Sequence, residues 1–168
     1  MDIRIRALEK RDIPEITAAF KDSEWTVALS FFNALLVEQD NGKRVVLLAH
    51  MDNAFAGYVT IKWQSDYPPF ITRKIPEIND LRVLHAFRRR GIGTALVDEA
   101  ERRIFRKSTV AGIGVGMYAD YGPAQRMYVL RGYVPDGMGL YYKNSPVVPG
   151  KDYCLDDNLV LYFVKELK

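Results

Sequence analysis

Glu77-Ile78-Asn79-Asp80-Leu81-Arg82-Val83-Leu84-His85-Ala86-Phe87-Arg88-Arg89-Arg90-Gly91-Ile92-Gly93-Thr94-Ala95-Leu96-Val97 decides how this chain is read. It reads as a β-strand, a tight turn rich in arginine and glycine, and an amphipathic helix. The first amides of a helix have no partner inside it, so such a turn is a ready anion site. Glycine carries no Cβ and lets an anion approach the backbone. Arg88, Arg89 and Arg90 add positive charge beside it. A phosphate-bearing ligand is the expectation; the plainer alternative is a solvated basic turn.

Two familiar phosphate loops do not apply. No G-x-x-x-x-G-K-[ST] occurs, so a P-loop is unsupported. Gly112-Ile113-Gly114-Val115-Gly116 is glycine-rich but lies in an apolar strand-like run and lacks the G-x-G-x-x-G spacing. Residues 88–93 read R-x-x-G-x-G, with Asp80-Leu81-Arg82-Val83 before them and Thr94-Ala95-Leu96 after. Downstream, Ala124-Gln125-Arg126-Met127-Tyr128-Val129-Leu130-Arg131-Gly132-Tyr133 follows A-x-x-L-Y-x-x-x-G-[FY], with Met127 at the leucine position. The two blocks in this order resemble the GNAT superfamily of N-acetyltransferases, whose R-x-x-G-x-G loop binds the acyl-CoA pyrophosphate.

The chain has 168 residues, enough for one well-buried core and short for two typical domains. At 48% hydrophobic and 27% charged it has the composition of a soluble globular protein. A net charge of +3 is mild, and Asp98, Glu99 and Glu101 argue against a wide basic face, so no nucleic-acid partner is expected. Asp2-Ile3-Arg4-Ile5-Arg6 alternates charge with no apolar region after it, so no signal peptide is expected. No apolar run approaches the ~20 residues of a membrane span. A single cysteine, Cys154, excludes an internal disulfide and fits a reducing cytoplasm. That thiol, with only His50 and His85 far apart, argues against a metal site.

Alternation over residues 2–8 predicts a strand. Asp12-Ile13-Pro14-Glu15 predicts a helix start, with Asp12 as cap and Glu15 three residues on, and a helix to about Phe20. A second helix is expected over 25–39, with Trp25, Ala28, Leu29, Phe32, Leu35 and Leu36 on one face. Arg44 to His50 and Ala54 to Trp63 read as a hairpin about Asp52-Asn53. Ser65 to Pro76, with three prolines, reads as a loop. A helix from Thr94 to about Arg106 comes after the central strand. Val110 to Tyr118 reads as a strand, and Gly122-Pro123 starts a helix that ends at Gly132. Tyr133-Val134 begins a short strand. Asn158 to Leu167 is apolar on both faces and expected to be buried on both. The order β-α-α-β-β-β-α-β-α-β-β is α+β in character. With the resemblance, it implies a single domain: a mixed, mostly antiparallel sheet flanked by about four helices, with a splayed central strand pair.

Acetyl transfer needs a polarised thioester carbonyl, a neutral attacking amine and a stabilised departing thiolate. The resemblance implies acetyl-CoA as cosubstrate, its diphosphate held by backbone N–H groups across Arg88, Arg89, Arg90, Gly91, Ile92, Gly93 and Thr94. It implies pantetheine and the thioester oxygen on backbone groups of Leu81, Arg82 and Val83, with the Val83 N–H as oxyanion donor. Tyr128 matches the tyrosine that acts as general acid in many members. A phenol of pKa ~10 can donate to a developing thiolate of ~8.5; the alternative is a helix-face tyrosine in the core. Glu77, fourteen residues before Gly91, matches a catalytic glutamate of the histone acetyltransferase branch. Alternation puts it on a face with Asn79, Leu81 and Val83. It reads equally as a surface carboxylate at a strand edge, with Asp80 as the other candidate base on the opposite face. Tyr121 stands seven residues before Tyr128, where the family often has an asparagine bonding pantetheine; Asp120 or the Tyr121 hydroxyl can take that place.

The acceptor site is expected from the second helix, the loop at 65–76 and the tail near 136–156. These carry Trp25, Phe31, Trp63, Tyr67, Phe70, Tyr141 and Tyr142, with Asp22, Glu24 and Asp66. Aromatics with carboxylates suit an amine cation, although each aromatic alone reads as core or rim. The reading is an N-acetyltransferase for a small-molecule amine, the alternative a silent acyl-CoA sensor. Family members often dimerise, and the apolar final strand can serve in that.

Overall fold

The computed structural model describes residues 2–21 and 28–168. Trp25, Asp22 and Glu24, expected near the acceptor, lie outside the described residues. The chain divides into two compact units, one of residues 1–63 and 78–103, the other of residues 64–77 and 104–168.

In the first unit the alternation of Ile3–Ala7 gives strand β1, antiparallel to β2 (Arg44–Met51), which pairs in turn with β3 (Ala54–Lys62). Asp52 and Asn53 turn the β2–β3 hairpin with φ of 50° and 70°, as their small polar side chains allow. Strand β4 (Glu77–Val83) lies next to β3 in the sheet order. Helix α1 (Ile13–Lys21) buries Ile13, Ile16, Thr17 and Phe20, the spacing of one helical face. Asp12 does not cap it with Glu15. A 3₁₀ turn, Lys10–Asp12, intervenes, and the Asp12 carboxylate turns back to accept the Glu9 N–H (2.8 Å) and both arms of the Arg6 guanidinium (2.6 Å each). Arg6 on β1 offers a two-pronged charged donor that outcompetes a lone helix amide.

Helix α2 is Leu29–Asp40, and Ala28 is extended just before it. Phe32 and Leu35 carry its buried face, while Leu29 is 52% exposed, contrary to the expected stripe. These residues join Leu8, Val46, Leu48, Phe55, Tyr58 and Leu84 in one core. Phe20, Phe32 and Tyr58 meet within 6.1 Å between ring centres, mostly edge to face, the arrangement aromatic quadrupoles prefer. Burying each such side chain contributes about 1.5–3 kcal/mol. Helix α4 (Ile92–Phe105) starts two residues before Thr94 and buries Ile92, Leu96, Val97, Ala100 and Ile104.

In the second unit β5 (Val110–Gly116), β8 (Leu159–Glu166), β6 (Val134–Tyr142) and the two-residue β7 (Ser145–Pro146) lie in that order, each neighbouring pair antiparallel. The proline-rich stretch is not all loop. Pro68–Arg73 form α3, because proline fits a first helical turn whose amides are unpaired anyway, and Lys74 at φ 54° ends it. Strand β6 is longer than expected, carried past a register shift by Gly137 and Gly139 at φ of 86° and 74°. Strand β8 is buried only at Tyr162 and Phe163, since β6 beside it is itself largely exposed. Helix α5 (Gly122–Leu130) ends as expected before Gly132, at φ 87°.

Gly112, Gly114 and Gly116 share one face of β5, and each makes room for an aromatic ring. A Cβ there would lie 2.2 Å from Phe70, 2.8 Å from Tyr162 and 2.4 Å from Tyr121. The first two rings join Tyr67, Ile75 and Tyr141 in the unit's core. The fold class is thus α+β with mostly antiparallel strands, as the element order implies. Five α-helices are described, α3 being the unexpected one.

The Arg6–Asp12 pair gives stability a pH dependence. Burial alone pushes the Asp12 pKa up, but the Arg6 and Glu9 hydrogen bonds outweigh it and hold it below the ordinary carboxylate value. The stabilisation is then complete above the unfolded-state value of ~3.9 and lost as pH falls below it. Asp12→Asn is expected to lower the melting temperature by about 4 °C or more at pH 7. The gap to the parent should close toward pH 3, and thermal melts at the two pH values measure it.

Candidate active site

In the first unit, β4 changes direction at its centre. Asp80 adopts φ 52°, so the alternation expected from Glu77 through Val83 does not run through it. Its carboxylate accepts the Tyr58 hydroxyl at 2.5 Å and Arg82 Nε at 2.8 Å, which fixes the bend. The same two contacts occupy both Asp80 carboxylate oxygens. Burial, with the Asp80 charge, holds the Tyr58 phenol protonated. Past the bend β4 presses on β3 at Gly57, where a Cβ would lie 2.3 Å from the Arg82 carbonyl oxygen and 3.0 Å from Val83 Cα. The Leu84 N–H donates to Ala56 O at 2.9 Å. Successive strand residues present their amides to opposite edges, so the Val83 N–H points away from β3.

A single 3₁₀ turn, His85–Phe87, leads into the arginines. Arg88 is extended, Arg89 has φ 62° and Gly91 φ 84°. The first i→i−4 bond of α4 is Ala95 N–H to Gly91 O, 2.9 Å. The Ile92, Gly93 and Thr94 amides therefore have no acceptor within the helix, at the positive end of its dipole. Arg89 and Gly91, both left-handed, set the chain's turn just before these amides, and such turns can aim backbone N–H groups at an anion. Arg88 Nε donates to Val83 O at 3.3 Å, tying this turn to the end of β4. Arg89 and Arg90 are exposed, and the Ile92 side chain is in the core, so it offers only its backbone.

The second unit carries Glu77, Tyr121 and Tyr128. Glu77 is no surface carboxylate: it is 5% exposed and accepts the Ser65 hydroxyl at 2.5 Å. Tyr128 lies on α5, buried, and burial raises its pKa, keeping the phenol protonated. Gln125 Nε2 donates to Gly116 O at 2.8 Å and fixes that helix to the end of β5. The Tyr121 ring packs on Gly116, and its hydroxyl donates to Asp157 at 2.9 Å. Tyr118 donates to the same carboxylate oxygen. The Tyr121 proton is therefore already committed to Asp157.

Tyr67, Phe70 and Tyr141 gather as expected, but against each other and Tyr162, with Tyr67 and Tyr162 stacked at 3.6 Å and 6°. They form buried packing, not an open aromatic pocket. Tyr67 donates to Asp136 at 2.7 Å. Tyr142 packs on Tyr153 and donates to Asp156, while Phe31 packs on Phe32. Sequence reasoning missed Gly57, Tyr58, Ser65, Asp136 and Asp157. Only the alternate glycines of β5 left a visible trace of this packing. Among the described residues no group of three His, Cys, Asp or Glu is arranged to hold a metal ion, and no helix is long and apolar enough to cross a membrane.

The family model for the acetyltransferase (GNAT) family matches residues 5–133. The chain belongs to that family, and it is an acetyltransferase. No curated protein matches it in sequence. Among solved structures it is similar to an N-acetyltransferase from Staphylococcus aureus Mu50, at 14% identity and TM-score 0.72 over all of both chains. The ribosomal-protein-alanine N-acetyltransferase from Brucella melitensis matches at 22% identity and TM-score 0.69, covering 98% of this chain and 99% of that one. Arabidopsis thaliana NAA60 in complex with acetyl-CoA matches at 19% identity and TM-score 0.67, covering 98% of each. At these identities the likeness is one of fold.

The close approach at Gly57 is testable. Gly57→Ala is expected to push β4 off β3 and destabilise the protein by about 1–3 kcal/mol, the range for overpacking a core. Urea denaturation measures this, and an unchanged midpoint would mean that β4 yields freely.

Proposed function

We propose that the chain works as one N-acetyltransferase domain, moving an acetyl group from acetyl-CoA to the primary amine of a small molecule by direct attack in a ternary complex. The observation that carries this reading is the turn at 88–94, whose left-handed residues and unpaired helix amides suit a diphosphate. The amides of Ile92, Gly93 and Thr94 bind the diphosphate of CoA, with Arg88, Arg89, Arg90 and Gly91 completing the loop. Backbone groups of Leu81, Arg82 and Val83 align the pantetheine arm, and the Val83 N–H donates to the thioester oxygen as negative charge grows on it.

Glu77 takes the amine proton, so that neutral nitrogen attacks the carbonyl carbon. The C–S bond breaks, Tyr128 donates its phenolic proton to the leaving thiolate, and the second proton on the attacking nitrogen passes to the phenolate left behind. Burial suits both: it keeps the phenol protonated until that step and leaves Glu77 few competing water molecules. Asp66 and Asp136, near Tyr162 with Glu77, add negative charge on the same unit, which favours a cationic acceptor. A protein N-terminus is the competing acceptor, in view of what the Brucella relative acetylates by name. A lone exposed cysteine fits a cytoplasmic setting.

A second reading, a silent acyl-CoA sensor, draws on Tyr121, whose hydroxyl is taken by Asp157 where the family often has a pantetheine-binding asparagine. Acetyl-CoA is expected to raise the melting temperature under either reading. CoA release with spermidine, an aminoglycoside, a free amino acid and an N-terminal peptide separates them. Release with one of the first three supports the small amine, release with the peptide alone moves the acceptor to protein, and none at all favours the sensor. Tyr128→Phe is expected to lower kcat by about 10²-fold with CoA affinity within about twofold. Equal loss of both would make Tyr128 a packing residue.

A further inference from the structure

We propose that Ser65 is a positioning residue for Glu77, holding the carboxylate in one orientation through a hydroxyl that donates to it. The inference rests on the reading of Glu77 as the base and adds what prepares it. Ser65 is 2% exposed, so water does not compete for its hydroxyl. A serine hydroxyl has one proton and ordinarily rotates to suit its neighbours. Here the Tyr67 N–H donates to Ser65 Oγ at 3.0 Å and occupies an acceptor lobe. The proton is turned the other way, and Glu77 Oε2 lies 2.5 Å off to receive it.

The donor of that fixing amide is itself clamped. The Tyr67 ring is stacked on Tyr162, and its hydroxyl donates to Asp136 on β6. At the other end, Pro76 O accepts the Gly112 N–H at 2.9 Å and anchors the backbone just before Glu77. A relay of Asp136, Tyr67, Ser65 and Glu77 thus runs from β6 to the head of β4, each link a hydrogen bond or one residue's own backbone. The relay moves no proton; its last link sets where Glu77 points and how readily it stays ionised. A buried carboxylate has lost water, and a hydroxyl donor restores part of that stabilisation of the charged form. Removing the donor therefore raises the pH at which Glu77 takes up a proton.

The test is the titration of the Glu77 carboxyl carbon, followed by NMR in protein labelled with ¹³C-glutamate and assigned by the signal lost in Glu77→Gln. Ser65→Ala is expected to move the Glu77 midpoint up by about one pH unit with CoA affinity unchanged. Ser65→Cys, a weak donor of nearly the same volume, is expected to fall between and serves should the alanine variant not fold. A midpoint that stays in place in the folded variant overturns the proposal. Rates separate it from the reading beneath it. Full turnover in Glu77→Gln removes Glu77 as base, and the role of Ser65 with it. A Glu77→Gln protein slowed about 10²-fold beside an unmoved midpoint in Ser65→Ala removes Ser65 alone. With both intact, the acid limb of the kcat profile tracks the NMR midpoint, and Ser65→Ala adds no loss on top of Glu77→Gln.

Discussion

The bend of β4 at Asp80 is the constraint on which the backbone layout of the first unit's candidate site depends. A strand of unbroken alternation would turn its amides evenly to its two edges and continue past the end of β3. Instead Asp80 takes a left-handed conformation that an aspartate tolerates only at some cost. The Tyr58 hydroxyl and the Arg82 guanidinium offset that cost by grasping both carboxylate oxygens. Gly57 then lets the redirected backbone sit against β3. The Arg88 contact to Val83 and the left-handed turn into α4, further along the chain, are both laid out from this point.

Hydroxyl groups, as well as arginines, attend the carboxylates of this protein. Asp80 receives Tyr58, Asp136 receives Tyr67, Asp156 receives Tyr142, Asp157 receives two tyrosines, and Glu77 receives Ser65. An ion pair cancels the charge it binds. A neutral donor satisfies a lone pair and leaves the charge in place. Glu77, 5% exposed, is of the second kind, with the Ser65 hydroxyl donating to its Oε2. The phenols give way in turn: burial and the adjacent carboxylates raise the pKa of Tyr67 and Tyr121, so they remain donors across the physiological range.

Much of this was legible in the sequence where the information is local. The turn at 88–93 carries its glycines in order, and α4 declares its buried face through Leu96, Val97, Ala100 and Ile104. Asp52-Asn53 marks its hairpin, and Gly132 the end of α5. The features that stayed hidden depend on partners distant along the chain. Nothing in Asn79-Asp80-Leu81 signals a left-handed residue, because the bend comes from Tyr58 on another strand. Ser65 and Glu77 are joined only because α3 forms between them, and α3 was masked by prolines that read as breakers. Asp12 looks like a cap until Arg6 is known to lie opposite. The glycines of β5 were visible, but only the fold reveals which rings they seat.

Those glycines also constrain the order in which such a protein can have arisen. Phe70, Tyr162 and Tyr121 each occupy the volume that a β-carbon on β5 would need. A ring of that size cannot settle over an alanine, so in any ancestor the small residue had to come first and the large one after. With the ring in place the return step is closed, since restoring even a methyl group strikes an aromatic edge or face. Each seat thus acts as a one-way ratchet, and a lineage that has taken all three steps can drift elsewhere on its surface while this strand stays fixed.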